Sequence, residues 1–312
     1  MNIYIIKRVF TMLITIWAIA TLTFVIMKFI PGDPFASDSR ALPEEVLQNV
    51  RAKYNLDKPV PVQYALYMKD MLAFDLGVSL NSETRTVNDI IKQGAPVSAI
   101  IGLQAMIVAT IFGVILGTVS ALNHRKFIDY FAMIIAIIGI SIPNFILAPF
   151  LIKFFAVDMS LFPVARWGTW MHSVLPTIAL AVTPLAIIAR FMRSSMLEVL
   201  KQDHIMTANS KGLSRFKIVW SHGIRNAILP VVSFIGPLFA ALITGTFVIE
   251  QIFAIPGIGR YFVESVFNRD YPVIMGTTIF FSAVLVFVLF IIDMSYRLID
   301  PRIKLTSEGD GK

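Results

Sequence analysis

The sequence predicts an all-α membrane protein that crosses the bilayer six times. Three observations carry this expectation. Of the 312 residues, 56% are hydrophobic and only 15% charged, with a mean hydropathy of +0.75, whereas about a quarter of the residues of a soluble domain are charged. The apolar residues gather in blocks of about 18 residues or more, the length that a hydrocarbon core of about 30 Å requires. The basic residues sit beside those blocks, in segments that alternate between two sides. Membrane topology therefore explains the net charge of +7, and no nucleic-acid partner is expected.

Lys7 and Arg8 precede a first span from Val9 to Ile30. Its apolar part exceeds the roughly 7–15 residues of a secretory signal, and no small-x-small cleavage site follows promptly, so it reads as a retained span. Lys28, near its end, can snorkel to the interface. Pro31-Gly32-Asp33-Pro34 ends the span sharply. Pro31–Ala95 is the longest polar region. One helix is expected from Pro43, with Val46, Leu47, Val50 and Tyr54 at helical spacing, and a second from Pro61 to about Phe74. Tyr64, Tyr67, Met68 and Met71 are expected to pack these two helices together, in preference to meeting a partner. Asp75-Leu76-Gly77-Val78-Ser79 reads as a turn. Val87–Gln93 reads as a short amphipathic helix of the kind that lies on a membrane surface.

Five more spans are expected over Val97–Leu122, Tyr130–Phe155, Val174–Phe191, Ile228–Ile249 and Val273–Ile292. The side holding the N-terminus carries Lys7, Arg8, Arg125 and Lys126. It also carries Arg190, Arg193, Lys201, Lys211, Arg215, Lys217 and Arg225, then Arg297, Arg302 and Lys304. The short loops opposite hold Lys153, Arg166, Arg260 and Arg269. In Pro31–Ala95 acidic residues outnumber basic ones, and long segments cross largely regardless of charge. Both termini and the Asp203–Pro230 loop are thus expected in the cytoplasm. Three regions follow: 1–93, a first span with an extracytoplasmic helical loop; 94–300, a five-helix core; and 301–312, a cytoplasmic tail.

The Asp203–Pro230 loop has its own helix punctuation. Asp203 suits an N-cap, and Gly212 stands where a helix would end in the left-handed conformation. Lys211 in the last turn complements the dipole. Ser214 can cap a second short helix with Gly223 near its end. A loop built this way either docks a partner or simply connects two spans. Ser141-Ile142-Pro143-Asn144 interrupts the third span. Its proline removes a backbone bond, and Ser141 and Asn144 either offer polar groups to a cavity or belong to a kink satisfied by its neighbours. Pro184 and Gly236-Pro237 are expected to bend later spans. Pro256-Gly257, within Glu250–Arg260, suggests a re-entrant or interfacial element.

Several function classes are disfavoured. No Gly-rich phosphate loop with a lysine occurs, so ATP hydrolysis by that route is not expected. Acidic residues are scarce in the spans, with Asp293 near the end of one, whereas an ion-driven carrier normally needs intramembrane carboxylates or polar broken helices. The chain has no cysteine. The scattered His124, His172, His204 and His222 show no helical pairing, and no metal site or catalytic constellation is expected.

Thr207-Ala208 and Gly212, followed by His222, Arg225-Asn226-Ala227 and Pro230, resemble the cytoplasmic EAA loop of binding-protein-dependent ABC importer permeases. The likeness is to the peptide/nickel subgroup. Pro31–Pro34, Asp75–Ser79, Ser141–Pro143, Glu250–Arg260 and Asp300-Pro301-Arg302 look like this family in the order of its B-type inner-membrane subunit. Met206 replaces the loop's name-giving glutamate, Thr207 replaces its first alanine, and the interval from Gly212 to Pro230 is longer than in the general pattern. A role for a glutamate is therefore not carried over.

The resemblance implies a MetI-like, type I importer permease in a prokaryotic inner membrane. Its implied partners are a homologous C-type permease, two cytoplasmic ATPase subunits and an extracytoplasmic binding protein. ATP and magnesium would reside on the ATPases, with no cofactor in this chain. Asp203, Thr207, Ala208, Lys211 and Gly212 would form the ATPase-coupling helix, and Ser141, Pro143 and Asn144 would line the translocation path. Glu250, Pro256 and Gly257 would belong to an outer gate region. Oligopeptides are the first expected substrate, then dipeptides, then nickel or a metal chelate.

Overall fold

The apolar blocks and the capped segments between them fold as helices, and no strand forms among the described residues beyond an isolated Val78–Thr86 bridge. The computed structural model describes residues 2–29, 48, 51–52, 54–82 and 84–299. The Pro31–Pro34 terminator, the start of the helix expected from Pro43, Asp300-Pro301-Arg302 and the 301–312 tail lie outside them. In chain order the helices are α1 (Asn2–Phe29), α2 (Val60–Leu72), α3 (Val87–Leu122), α4 (Phe127–Ser141) and α5 (Asn144–Leu151), the last continued by a π-helical segment, Ile152–Asp158. Then come α6 (Met171–Val199), α7 (Asp203–Ser210), α8 (Arg215–Lys217), a second π-helical segment (Ile218–Ile224), α9 (Arg225–Ile252), α10 (Ile258–Phe267) and α11 (Tyr271–Ile299). Among the described residues 5 helices are long and apolar enough to cross a membrane, or 6 if the bent pair α4–α5 makes one span.

The chain forms two compact units. One comprises Met1–Ala99 and Ala254–Val284, the other Ile100–Phe253 and Leu285–Lys312. In the first, α1 starts at Asn2, ahead of the span expected from Val9, so Lys7 and Arg8 lie within the helix. Tyr64 and Tyr67 of α2 turn toward α1, whereas the helix expected from Pro43 lies largely outside the described residues. Both rings lie on Phe24 of α1, with centroids 5.4 and 5.7 Å away. Lys28 bonds to Gln63, which ties the end of α1 to α2.

Val87–Gln93 is not a separate surface helix, because α3 runs unbroken through Pro96 to Leu122. Its apolar face is taken by protein: Val87 and Ile90 are buried with Val273, and Leu76 and Tyr261 pack around them. Gly94 permits close approach, since a Cβ there would lie 2.7 Å from the Ile258 nitrogen. The Ile258 N–H donates to Ser98 Oγ at 3.0 Å. The Asp75–Ser79 turn is anchored at Asp270, whose buried carboxylate accepts from the Ser79 hydroxyl at 2.5 Å and the Leu80 N–H at 3.1 Å. Gly77 sits in the turn at φ +86°, a conformation that glycine adopts freely.

In the second unit α6 is central, against α4, α5 and α9. It extends to Val199, well past the expected end, and buries Leu180, Ile188, Met192 and Met196 completely. Both α6 and α9 run through their internal prolines. Gly223 does not terminate a short helix. The chain continues from α8 through the π-helical segment into α9, and a Cβ on Gly223 would meet Met196 Cε at 2.5 Å. Gly223 is therefore a close-packing position.

Candidate functional site

The α7 helix begins one residue earlier than its sequence suggests. Gln202 holds the extended N-cap conformation, with φ −77° and ψ 151°, and its side chain makes no cap bond. Asp203 is thus the first helical residue, where its charge complements the N-terminal dipole. At the other end Lys211 is the C-cap and Gly212 takes φ +73°. The Gly212 N–H donates to Asn209 O at 2.9 Å and the Leu213 N–H to Ala208 O at 3.3 Å, the paired bonds of a Schellman closure. Ser214 then caps α8 by accepting from the Lys217 N–H at 3.4 Å.

The faces of α7 divide unequally. Ile205 and Ala208 are buried as the helix rests on the π-helical segment. Ala208 is only 5% exposed, so it is not the open centre of a docking face that its small size suggests. Asp203, Met206, Thr207, Ser210 and Lys211 are exposed. His204 Nε2, which faces Asn226 Nδ2 at 3.3 Å, links α7 to the start of α9.

The interruption at Ser141–Asn144 is a true break. The helices on either side are bent by 104°. Ile142 is extended, with φ −90° and ψ 115°, as the residue before a proline prefers, and Pro143 opens α5. The Ser141 hydroxyl donates to Ile137 O at 2.8 Å, and Asn144 Oδ1 accepts from Thr183 of α6 at 3.1 Å. Ser141 remains exposed and Asn144 half-buried, so a partner positions each without enclosing it.

Glu250 is completely buried near the end of α9, in the second unit. Pro256 is exposed and Gly257 is the extended N-cap of α10, both in the first unit. Ala254 between them is held at φ +51°. Residues 253–257 join the end of α9 to the start of α10.

Sequence reasoning missed one constellation. Asp129, in the first turn of α4, is 2% exposed. Its Oδ1 accepts from Arg193 Nε at 2.6 Å and its Oδ2 from Arg193 NH2 at 2.8 Å, a bidentate pair across to α6. The Ser120 hydroxyl donates to Oδ1 at 2.5 Å and the Arg125 N–H to Oδ2 at 3.0 Å. His124 Nδ1 lies 3.3 Å from Oδ2 and 3.2 Å from Arg193 NH2. Arg193, counted above as a topology charge, is an internal ion-pair partner, and Asp129 is an acid inside a helix of the core. The two are 64 positions apart, and no periodicity links them. The available signal was a lone acid on the otherwise apolar α4, while α6 offers both Arg190 and Arg193 as partners. Among the described residues no group of three or more His, Cys, Asp or Glu could hold a metal ion.

Two family models match the chain. The binding-protein-dependent transport system inner membrane component matches residues 109–305, and the N-terminal membrane component of such systems matches residues 1–97. The dipeptide transport system permease protein DppB of Bacillus subtilis is 54% identical, over 98% of this chain and 99% of that protein. The oligopeptide transport system permease protein OppB of Salmonella typhimurium is 40% identical, over 96% of this chain and 99% of that protein. Among solved structures, a chain of the inward-facing MetNI methionine ABC transporter superposes with a TM-score of 0.57 at 17% identity, covering 68% of this chain and 96% of that one.

Proposed function

The chain belongs to the family of binding-protein-dependent transport system inner membrane components, and from that premise we propose that it forms half of the channel of an ATP-driven importer of short peptides. It is a multi-pass membrane permease and not an enzyme. A homologous C-type permease completes the channel, and an extracytoplasmic binding protein delivers the peptide. Two ATPase subunits supply the ATP chemistry, with ATP and magnesium on them and no cofactor in this chain. The relatives' names support peptides as the substrate class and include both dipeptide and oligopeptide systems.

The observation that carries the mechanism is α7: a helix of 8 residues, closed at Gly212, with one face buried and one exposed. Isolated helices below about 12–15 residues are marginal in water. The chain's own π-helical segment holds the inner face, and the exposed Asp203, Met206, Thr207, Ser210 and Lys211 are left for an ATPase groove. Closure of the ATPases would displace α7 and rock the spans between inward- and outward-facing states, with Ser141, Pro143 and Asn144 on the path and Glu250–Arg260 toward the outer gate.

The basic residues around α3–α4 and α6–α9 support a cytoplasmic position for this loop and for both termini. In this cysteine-free chain, Ser214→Cys should be labelled from the inside and Lys58→Cys from the outside; the reverse pattern would invert the topology. Reconstituted with its partners in proteoliposomes, the complex should import di- to oligopeptides only with ATP and binding protein. Uptake driven by an ion gradient without ATP would replace this reading with that of a secondary carrier.

A further inference from the structure

Arg193 stands close to the end of α6 from which α7 departs. Val199 lies six positions further on, roughly 9 Å along a helix axis. The turn that follows is hydrogen-bonded: the Leu200 N–H donates to Met196 O at 3.0 Å and the Gln202 N–H to Val199 O at 3.1 Å. A displacement of α7 is therefore delivered to α6 through a short, closed connection. Two kinds of contact pass it on. Toward α3, α6 is held by near-contact of backbones. A Cβ on Gly117 would lie 2.5 Å from Ala189 O, and one on Gly113 would lie 2.9 Å from Leu185 O.

Toward α4 and α5, two polar fastenings stand out. The Asn144–Thr183 bond sits at the helix break, and the Asp129–Arg193 pair sits at the end nearest α7. A planar guanidinium bonded through two nitrogens fixes rotation as well as distance, whereas apolar faces can slide. The Ser120 hydroxyl and the Arg125 N–H complete the shell around the carboxylate, so it cannot swing with Arg193 alone. The same carboxylate thus ties the end of α3, the start of α4 and the body of α6.

We infer that Asp129 and Arg193 are positioning residues that make the α4–α5 break follow α7, so that ATPase closure reaches the transport path. This inference rests on the coupling role proposed for α7. Losing one member leaves a charge without its partner inside the protein, and α4 is then free to lag behind α6.

The test uses the full complex in proteoliposomes, with wild-type uptake as the control. If wild-type uptake is not ATP-dependent, the importer reading itself fails and the pair is not at issue. With that control in place, Asp129→Asn keeps the shape and removes the charge. The ATPases should still co-purify and basal hydrolysis should persist. Peptide imported per ATP hydrolysed should fall about tenfold, within the roughly 5–150-fold that coupling free energies span. Arg193→Lys, which keeps the charge and loses the fork, should give a smaller fall of the same kind. An unchanged peptide-to-ATP ratio per assembled complex, whatever the change in Tm, overturns the proposal. Failure of both variants to assemble assigns the pair to folding alone and overturns it as well.

Discussion

Replacing Gly212 changes the backbone preference of the α7 cap and little else. Its φ of +73° lies in the left-handed region, and no atom comes within 4 Å of where a Cβ would stand. A side chain there meets open space, so the cost is backbone strain alone, about 1–2 kcal/mol for a residue with a Cβ. Asparagine visits this region far more readily than valine. Strain of that size changes an equilibrium by a factor of about 5–30. It falls on the two closing bonds, from Gly212 to Asn209 and from Leu213 to Ala208. Docking of the ATPases should therefore weaken in the order Gly212→Asn, Gly212→Ala, Gly212→Val, with the asparagine variant near wild type. The measurements are co-purification of the ATPases and peptide-stimulated ATP hydrolysis in reconstituted complexes. Equal docking by all three variants, or an order that follows side-chain volume with asparagine worse than alanine, would refute the reasoning.

Three more outcomes are expected. Ala208→Glu places a carboxylate at a position only 5% exposed, so it should lower the subunit's Tm and detach α7 from its own chain; Thr207→Glu, on the exposed face, should leave Tm unchanged and weaken ATPase co-purification. Asn144→Leu should reduce uptake in an assembled complex, and Thr183→Val should reproduce part of that loss because Thr183 orients Asn144; normal uptake by both across peptides of several lengths would make the break a plain kink. Asp270→Ala leaves the Ser79 hydroxyl and the Leu80 N–H without their acceptor. At about 1–3 kcal/mol for each orphaned group, the Asp75–Ser79 turn should become susceptible to limited proteolysis while α6, in the other unit, stays protected, and an unchanged digestion pattern would count against the anchoring role.

Much of the site was legible because its determinants are local. The left-handed cap at Gly212, the Ser214 cap, the break before Pro143 and a helix starting near Pro61 all follow from what one residue does to its own backbone or its immediate neighbours. The N-cap was displaced by one residue, to Gln202, for a reason of the same scale: the chain becomes helical at Asp203, whose charge serves the dipole without making a cap bond. Glycines were the least legible positions. Gly212 and Gly223 look alike in sequence, yet one closes a helix through its φ and the other makes room for Met196.

The sequence by itself determined the class of molecule, the apolar helices, the capped α7 and the interrupted span, because hydropathy, helix period and proline or glycine chemistry act over a few residues. Only the tertiary structure decided that Val87–Gln93 is the start of a long helix packed against Val273 rather than a surface helix, that Ala208 faces inward, and that Asp129 holds Arg193. Each of these depends on which distant segment occupies the facing side. A burial pattern of period 3.6 marks a face without naming what covers it. A charge on an apolar helix reads as a topology signal until its partner, 64 positions away in the chain, is brought within 3 Å of it by the packing of α4 on α6.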